Sequence, residues 1–304
     1  MKLPNFIIIG APKAGTTSLF NYLRQHPQIY MSSYKEPAYY APEVYQRRKK
    51  EYQGRSKFRF GAKKPLYGES ETTPLSLEEY CTLFQSVENE TAIGEASTCY
   101  LSELNTPKRI KQFLPNVKLI TILRNPVERA YSDYCYDYRD DIEERSFDKI
   151  LQEDPEHYYF TRGFYYLYLK RYFDVFEPSQ IKICFQEDLN TSPLSVIQDI
   201  FRFLSVDYTY EPQDLHRSNV SGIPKSRLIH NFVFGINPFK STLKHFFSEK
   251  LRQNLYLTIS KYNLSPKPSL SLELRQRLID IYREDILKLQ KLINKDLSHW
   301  LDAN

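Results

Sequence analysis

Residues 6–20 read FIIIGAPKAGTTSLF, an apolar run followed by a turn with two glycines and a polar segment. Phe6–Ile9 have the length and the β-branched composition of a buried strand. Gly10 and Gly15 occupy the glycine positions of the ATP-binding P-loop pattern, and Thr17 occupies its final position. The segment therefore predicts a strand, a loop whose backbone N–H groups bind an anion, and the start of a helix.

The loop departs from the ATP-binding pattern in the place of its lysine. Thr16 stands where that pattern has lysine, and the lysine lies inside the loop as Lys13. A lysine at the helix start reaches the β and γ phosphates, whereas one inside the loop lies beside the first group beyond the α position. We therefore expect a ligand with one phosphate and one transferable group, and not ATP.

A second segment predicts a phosphate site at the end of another strand. Residues 119–123 are apolar and β-branched, so Arg124 follows the carboxyl end of a strand, where open α/β sheets bind ligands. Asn125-Pro126 favours a helix start, which places Ser132 about two turns along and facing back toward Arg124. The guanidinium and the hydroxyl are both donors suited to phosphate.

Together these segments resemble those of sulfotransferases that use 3′-phosphoadenosine-5′-phosphosulfate (PAPS), of bacterial type and similar to enzymes that sulfate carbohydrates and heparan sulfate. In that family the first loop binds the 5′-phosphosulfate, and an arginine and serine after a later strand bind the 3′-phosphate. The resemblance implies an α/β fold: a P-loop NTPase-like three-layer sandwich with a central parallel sheet and a helical C-terminal part, in one domain over residues 1–304. It implies donor contacts by Lys13, Ala14, Gly15, Thr16, Thr17, Ser18, Arg124 and Ser132.

The resemblance also implies the catalytic residues. Tyr34–Tyr40 contains Lys35-Glu36-Pro37, and carbohydrate-modifying members have a similar segment whose glutamate is taken as the base. Glu36 is then the base that an acceptor hydroxyl needs, since that group is a poor nucleophile until its proton is removed. Lys13 is implied to stabilise charge on the sulfonate. Pro37 predicts an extended backbone at Glu36.

Two further segments resemble this family less closely. Gly94–Leu101 is similar to its Gly-Glu-x-Ser-Pro-x-Tyr segment, but Thr98 replaces the proline, and Ala96 stands where several glycan-directed members have lysine. Glu95 either orients an acceptor hydroxyl or forms hydrogen bonds within the fold. Residues 219–227 resemble a degraded basic loop that closes over the 3′-phosphate and adenine, so donor contacts are also implied for Lys225, Ser226 and Arg227. A surface loop with two cations is the alternative.

The C-terminal third has fewer signals. Residues 232–268 are interpreted as an insertion or arm over the cleft, and the apolar spacing from Ser269 to Trp300 predicts a final helix packed on the sheet. Aromatic residues along 161–173 predict core and groove lining.

Charge and composition restrict the partners. The net charge of +5 is modest, but nine lysines and arginines lie within residues 47–64, in a predicted basic loop near 43–68. This loop either binds an acidic or sugar-like acceptor or is a solvated segment, and no nucleic-acid module accompanies it. Oligomeric state stays open.

The 304 residues contain no apolar run long enough to span a bilayer, and Met1 is not followed by a basic leader, so we expect no membrane span and a cytoplasmic location. The four cysteines are widely spaced, which favours reduced thiols over a zinc site, and no metal is expected.

The reaction implied by the resemblance moves a sulfuryl group from PAPS to a hydroxyl or amine of an acceptor, small molecule or glycan, and most closely fits a carbohydrate or glycoconjugate. Adenosine 3′,5′-bisphosphate is the other product. Two alternatives stay open: a P-loop kinase that uses ATP, which needs lysine at position 16 and an acidic residue for magnesium, and a non-catalytic anion- or glycan-binding protein on the same fold.

Overall fold

The computed structural model describes residues 2–45, 74–139, 142–215, 222–226 and 264–303. Within these ranges five strands form one parallel sheet in the spatial order β2-β3-β1-β4-β5. The strands are β1 (Phe6–Gly10), β2 (Ile29–Met31), β3 (Ala92–Ala96), β4 (Lys118–Leu123) and β5 (Ile181–Phe185).

Helices connect the strands and cover the sheet. They include α1 (Thr16–Leu23), α2 (Leu77–Thr82), α3 (Thr106–Phe113), α4 (Pro126–Arg139), α5 (Phe147–Glu153), α6 (Tyr158–Thr161), α7 (Tyr165–Phe173), α8 (Gln186–Thr191), α9 (Pro193–Leu204) and α10 (Leu272–Ile293). Short 3₁₀ helices lie at Thr98–Leu101, Pro178–Gln180 and Ser298–Leu301.

The central strand β1 explains the architecture. Ile7 pairs with Glu95 of β3 on one side and with Leu119 of β4 on the other, and every residue of β1 is buried. A parallel strand that is buried on both faces requires helices on both sides of the sheet. The predicted α/β fold with a central parallel sheet and a helical C-terminal part is confirmed.

All the strands of this sheet end at one edge, because they run parallel. The loop after β1 and the residue after β4, Arg124, therefore lie side by side. The predicted helix start at Asn125-Pro126 is confirmed: α4 begins at Pro126, and the Asn125 side-chain oxygen accepts the Val127 N–H at 3.0 Å. This edge is where ligands of open α/β sheets bind.

The sequence predicted that the last helix packs on the sheet. In the structure α10 packs principally against α7 and α4 instead. The Asp285 carboxylate accepts the N–H groups of Tyr166 at 2.9 Å and Leu167 at 3.2 Å, and the Tyr282 hydroxyl donates to the Phe160 carbonyl. Burial raises the pKa of Asp285 to about 6, although these N–H donors oppose the shift. These polar contacts to the helical layer explain why α10 lies there.

Two predicted features lie partly outside the described residues. They are the basic loop, from residue 46 onward, and the arm, up to residue 263. The end of the arm forms β7 (Leu264–Pro266), which pairs antiparallel with β6 (Gly222–Pro224).

None of the four cysteines forms a disulfide. Across the ranges that the structure describes, no helix is both long and apolar enough to cross a membrane, and no cluster of His, Cys, Asp and Glu has the makings of a metal site.

Candidate active site

The loop between β1 and α1 has the backbone of an anion site. Gly10 and Gly15 have φ angles of 156° and 105°. A Cβ on Gly10 would lie 2.8 Å from the Cβ of Leu101, so both conformation and space favour glycine there. Gly15 is the N-cap of α1 and supplies no side-chain acceptor to its first turn. An anion can cap such a turn through the backbone N–H groups.

Lys13 and Arg124 meet at this loop. The Arg124 guanidinium donates to the Lys13 carbonyl at 3.1 Å, and the Ala11 N–H donates to the Ile122 carbonyl at 2.8 Å, so the loop is fastened to the end of β4. The Lys13 ammonium lies 3.6 Å from the centroid of the Tyr136 ring on α4. Two of the sequence-predicted cations thus share one site.

The structure places the other residues predicted to contact PAPS as follows. Ala14 is fully buried, Thr16 and Ser18 are buried in the first turn of α1, and Thr17 and Gly15 are half-buried. Ser132 lies on α4 and is 1% exposed. Lys225 is exposed and Ser226 half-buried after β6, which packs against α4. Arg227 lies outside the described residues.

Two cations near Arg124 were not predicted. Lys267 and Arg275 donate to the Glu128 carboxylate at 2.6 and 2.5 Å, and Arg124 approaches the same carboxylate at 3.5 Å. Burial alone would raise the pKa of Glu128, but the hydrogen bonds and charges of Lys267 and Arg275 lower it to about 2. The edge of the sheet beside Arg124 therefore carries more lysines and arginines than the motifs indicated.

Glu36 lies after β2, at the same edge of the sheet. Its carboxylate accepts the Thr98 N–H at 2.7 Å, the Thr98 hydroxyl at 3.1 Å from either oxygen, and the Lys35 ammonium at 2.7 Å. Its N–H donates to the Ala96 carbonyl at 2.8 Å.

The prediction of an extended backbone at Glu36 is wrong, because its φ is 67°. A non-glycine residue in this left-handed region costs about 1–3 kcal/mol. The hydrogen bonds to Ala96 and Thr98 outweigh the preference imposed by Pro37.

The buried Glu95 side chain forms hydrogen bonds within the fold. It is fully buried on β3, and its carboxylate accepts hydrogen bonds from Tyr80 at 2.8 Å, Ser97 at 2.9 Å and Tyr100 at 3.0 Å. Burial raises the pKa of Glu95 to about 7, while the hydroxyl donors oppose that shift. The Ser97 hydroxyl oxygen also accepts the Ala38 N–H at 3.0 Å, which connects this buried network to the Glu36 segment.

A cleft of about 400 Å³ opens beside α6 and α7. Its lining includes Tyr158, Arg162, Leu167, Tyr168 and Arg171. The two guanidinium groups lie over tyrosine rings, Arg162 at 4.5 Å from Tyr158 and Arg171 at 5.4 Å from Tyr168. The predicted aromatic groove lining is thus found here, with arginines added.

One short series of contacts connects this cleft to the anion loop. The Tyr158 hydroxyl donates to Asp137, which follows Tyr136 on α4, and the Tyr136 ring carries the Lys13 ammonium. The Lys13 side chain and a wall of the cleft therefore both contact the C-terminal half of α4.

Comparison with known proteins supports the predicted class. Human carbohydrate sulfotransferase 15 is 29% identical over 271 residues, covering 70% of this chain and 45% of that protein. A crystal structure of a sulfotransferase from Alicyclobacillus acidocaldarius superposes with a TM-score of 0.71 at 28% identity, covering 99% of this chain and 100% of that one.

The predicted cytoplasmic location is wrong. Membrane-associated sulfotransferase kil1 of Dictyostelium discoideum is 37% identical over 138 residues, covering 44% of this chain and 23% of that protein. The chain spans less than half the length of the curated relatives described here. The prediction depended on how the sequence begins at Met1, and that says nothing about location when relatives extend well beyond the matched region.

A family model also matches more than half of the chain. The model of the sulfotransferase family covers residues 4–210, which include the anion loop, Glu36 and Arg124. The anion loop, Glu36 and Arg124 therefore lie in the matched region and at one edge of the folded sheet. The predicted family is confirmed: the chain belongs to the sulfotransferase family.

Proposed function

We propose that this chain transfers a sulfuryl group from PAPS to a hydroxyl or amine of a carbohydrate or glycoconjugate. The observation that carries the proposal is the contact between the two predicted donor elements: Arg124, after β4, donates to the carbonyl of Lys13, inside the loop after β1. Two phosphate-binding elements at this edge fit a nucleotide that has phosphate on both its 5′ and 3′ sides. One domain over residues 1–304 stays part of the proposal.

The residues divide between the two ends of the donor. The Lys13–Ser18 loop and α1 hold the 5′-phosphate side through backbone N–H groups and hydroxyls, and Lys13 stabilises negative charge that develops on the sulfonate and bridging oxygen. Arg124 and Ser132 hold the 3′-phosphate, with Lys225, Ser226 and Arg227 closing over it. Preorganised charge of this kind supplies catalysis mainly by positioning and electrostatics.

Glu36 accepts the proton of the acceptor. As the acceptor oxygen or nitrogen bonds to sulfur, the bond between sulfur and the bridging phosphate oxygen breaks, and adenosine 3′,5′-bisphosphate leaves. The acceptor proton passes to the Glu36 carboxylate, so the step balances. Before the acceptor arrives, this carboxylate is bonded to the Thr98 N–H and paired with the Lys35 ammonium.

The acceptor is proposed to bind in the Arg162–Arg171 cleft. Aromatic walls with a few polar groups are usual in ligand sites, and arginines suit carboxylate or sulfate groups of an acidic glycan. Tyr158 of the cleft and the Lys13 side chain both contact the C-terminal half of α4. The relative named carbohydrate sulfotransferase 15 supports a sugar acceptor.

Calorimetry tests which nucleotide the chain binds. We expect the chain to bind adenosine 3′,5′-bisphosphate more tightly than ADP with magnesium, and Arg124→Ala to weaken that binding about 10- to 100-fold, because a charge-assisted hydrogen bond contributes about 1.5–3 kcal/mol. The loss should be much smaller for an analogue without the 3′-phosphate. Lys118→Ala is the matched control, since Lys118 lies at the opposite end of β4 and bonds to Phe203 and Ser205.

Other results would favour a rival function or contradict the role of Arg124. Preference for ADP with magnesium would favour a kinase, and binding of neither nucleotide would favour a non-catalytic anion-binding protein. Equal weakening of both adenosine ligands by Arg124→Ala would contradict the assignment of its 3′-phosphate contact.

The acceptor cleft has its own test. Arg171→Gln should raise the KM for an acidic glycan about 5- to 10-fold with little change in kcat for the bound acceptor, since it removes one cation from a site away from the reacting atoms. Lys170→Gln makes the same charge change one residue earlier, on an exposed side chain paired with Asp174. Equal KM values for the two variants would place the acceptor elsewhere.

A further inference from the structure

Thr98 stands at the one specified position of the Gly-Glu-x-Ser-Pro-x-Tyr pattern described above where this chain has a different residue. That pattern has proline there, which has neither a backbone N–H nor a hydroxyl. In this chain both of those groups of Thr98 donate to the Glu36 carboxylate, the N–H at 2.7 Å and the hydroxyl at 3.1 Å from each oxygen. The substitution thus adds two donors to the residue proposed as the base.

The contact belongs to a larger set of hydrogen bonds between two loops. Three successive residues at the carboxyl end of β3, Ala96, Ser97 and Thr98, each bond to the segment 36–38. Ala96 accepts the Glu36 N–H, Ser97 accepts the Ala38 N–H, and Thr98 donates to the Glu36 side chain. Ala96 and Ser97 fix the backbone of the segment. Thr98 alone of the three bonds to the carboxylate.

Resting on the proposed role of Glu36 as base, we propose that Thr98 is a positioning residue that aims the Glu36 carboxylate at the acceptor. Two donors from one residue fix both the distance and the rotation of a carboxylate, whereas the Lys35 ammonium, on a long side chain, supplies charge without fixed geometry. Holding a base in its reactive geometry raises kcat and leaves the binding of PAPS unchanged.

Three substitutions separate the two donors. Thr98→Ser keeps both, Thr98→Val keeps the N–H and removes the hydroxyl, and Thr98→Pro removes both. Proline fits this position, because Thr98 begins a 3₁₀ helix and the preceding Ser97 has an extended backbone with φ −133° and ψ 103°. Melting temperatures verify folding, and Thr98→Val preserves the test if the proline variant does not fold.

We expect kcat to fall about 3-fold in Thr98→Val and about 10-fold in Thr98→Pro, with wild-type kcat in Thr98→Ser and an unchanged KM for PAPS in all three. Lys35 and the buried Glu95 also interact with Glu36, and these substitutions leave both in place.

The control is the same set of substitutions in a Glu36→Gln background, where the loss of Thr98 should lower kcat no further. Wild-type kcat in both Thr98→Val and Thr98→Pro, beside an inactive Glu36→Gln, would overturn this inference alone. Normal transfer by Glu36→Gln would remove the proposed base, and this inference with it.

Discussion

Lys13→Ala should lower kcat for sulfuryl transfer about 100- to 1,000-fold, which is the usual effect of removing one preorganised group that stabilises transition-state charge. The loop holds Lys13 in a left-handed conformation with φ 65°, its carbonyl bonded to Arg124 and its ammonium 3.6 Å from the Tyr136 ring centroid. Charge placed in advance needs no reorganisation during reaction, so its loss falls on kcat. Single-turnover transfer of labelled sulfate from PAPS measures the effect.

Lys111→Ala is the matched control for Lys13. Lys111 also lies over an aromatic ring, 5.0 Å from the centroid of Phe176, but it bonds to Pro115 and Gln180 at the surface. Its removal should leave transfer unchanged. A rate for Lys13→Ala within twofold of wild type would take this lysine out of the catalytic step and leave only its place in the loop.

Glu36→Gln should lower kcat for transfer about 100- to 10,000-fold, because general base catalysis contributes that much. The amide keeps the size of the side chain and an oxygen that can accept from Thr98, so donor affinity should stay at the wild-type value. Transfer kinetics combined with calorimetry of adenosine 3′,5′-bisphosphate separates the two effects.

The matched control for Glu36 lies seven residues further along. Glu43→Gln makes the same change in a carboxylate that pairs with Arg109, whose hydrogen bond lowers the pKa of Glu43. It should cost at most some stability, since a partly exposed ion pair contributes about 1 kcal/mol or less. Retained transfer by Glu36→Gln would mean that another group takes the acceptor proton.

The sequence could predict those parts of the site that depend on short-range patterns. The apolar run of β1, the two glycines and the Asn125-Pro126 helix start each act within a few residues, so a parallel sheet with Lys13 and Arg124 at one edge could be inferred. The backbone of Glu36 could not, because it depends on hydrogen bonds to Ala96 and Thr98 about sixty residues away.

Longer-range contacts left even less trace. Glu128 pairs with Lys267 and Arg275, which lie 139 and 147 residues further along the chain, and no local pattern marks either cation. The position of α10 depends likewise on Asp285 accepting the N–H groups of Tyr166 and Leu167. Periodicity predicted that a helix would form there but not what it would pack against.

The Glu128 ion pairs also order events during synthesis. Contacts between residues so far apart in sequence close only after the intervening chain exists, and such closure is slow. A nascent chain that has already emerged through β5 has its complete sheet, yet it lacks two of the three cations that surround Glu128. Arg124 therefore acquires its final electrostatic surroundings only when the ribosome has translated the beginning of α10.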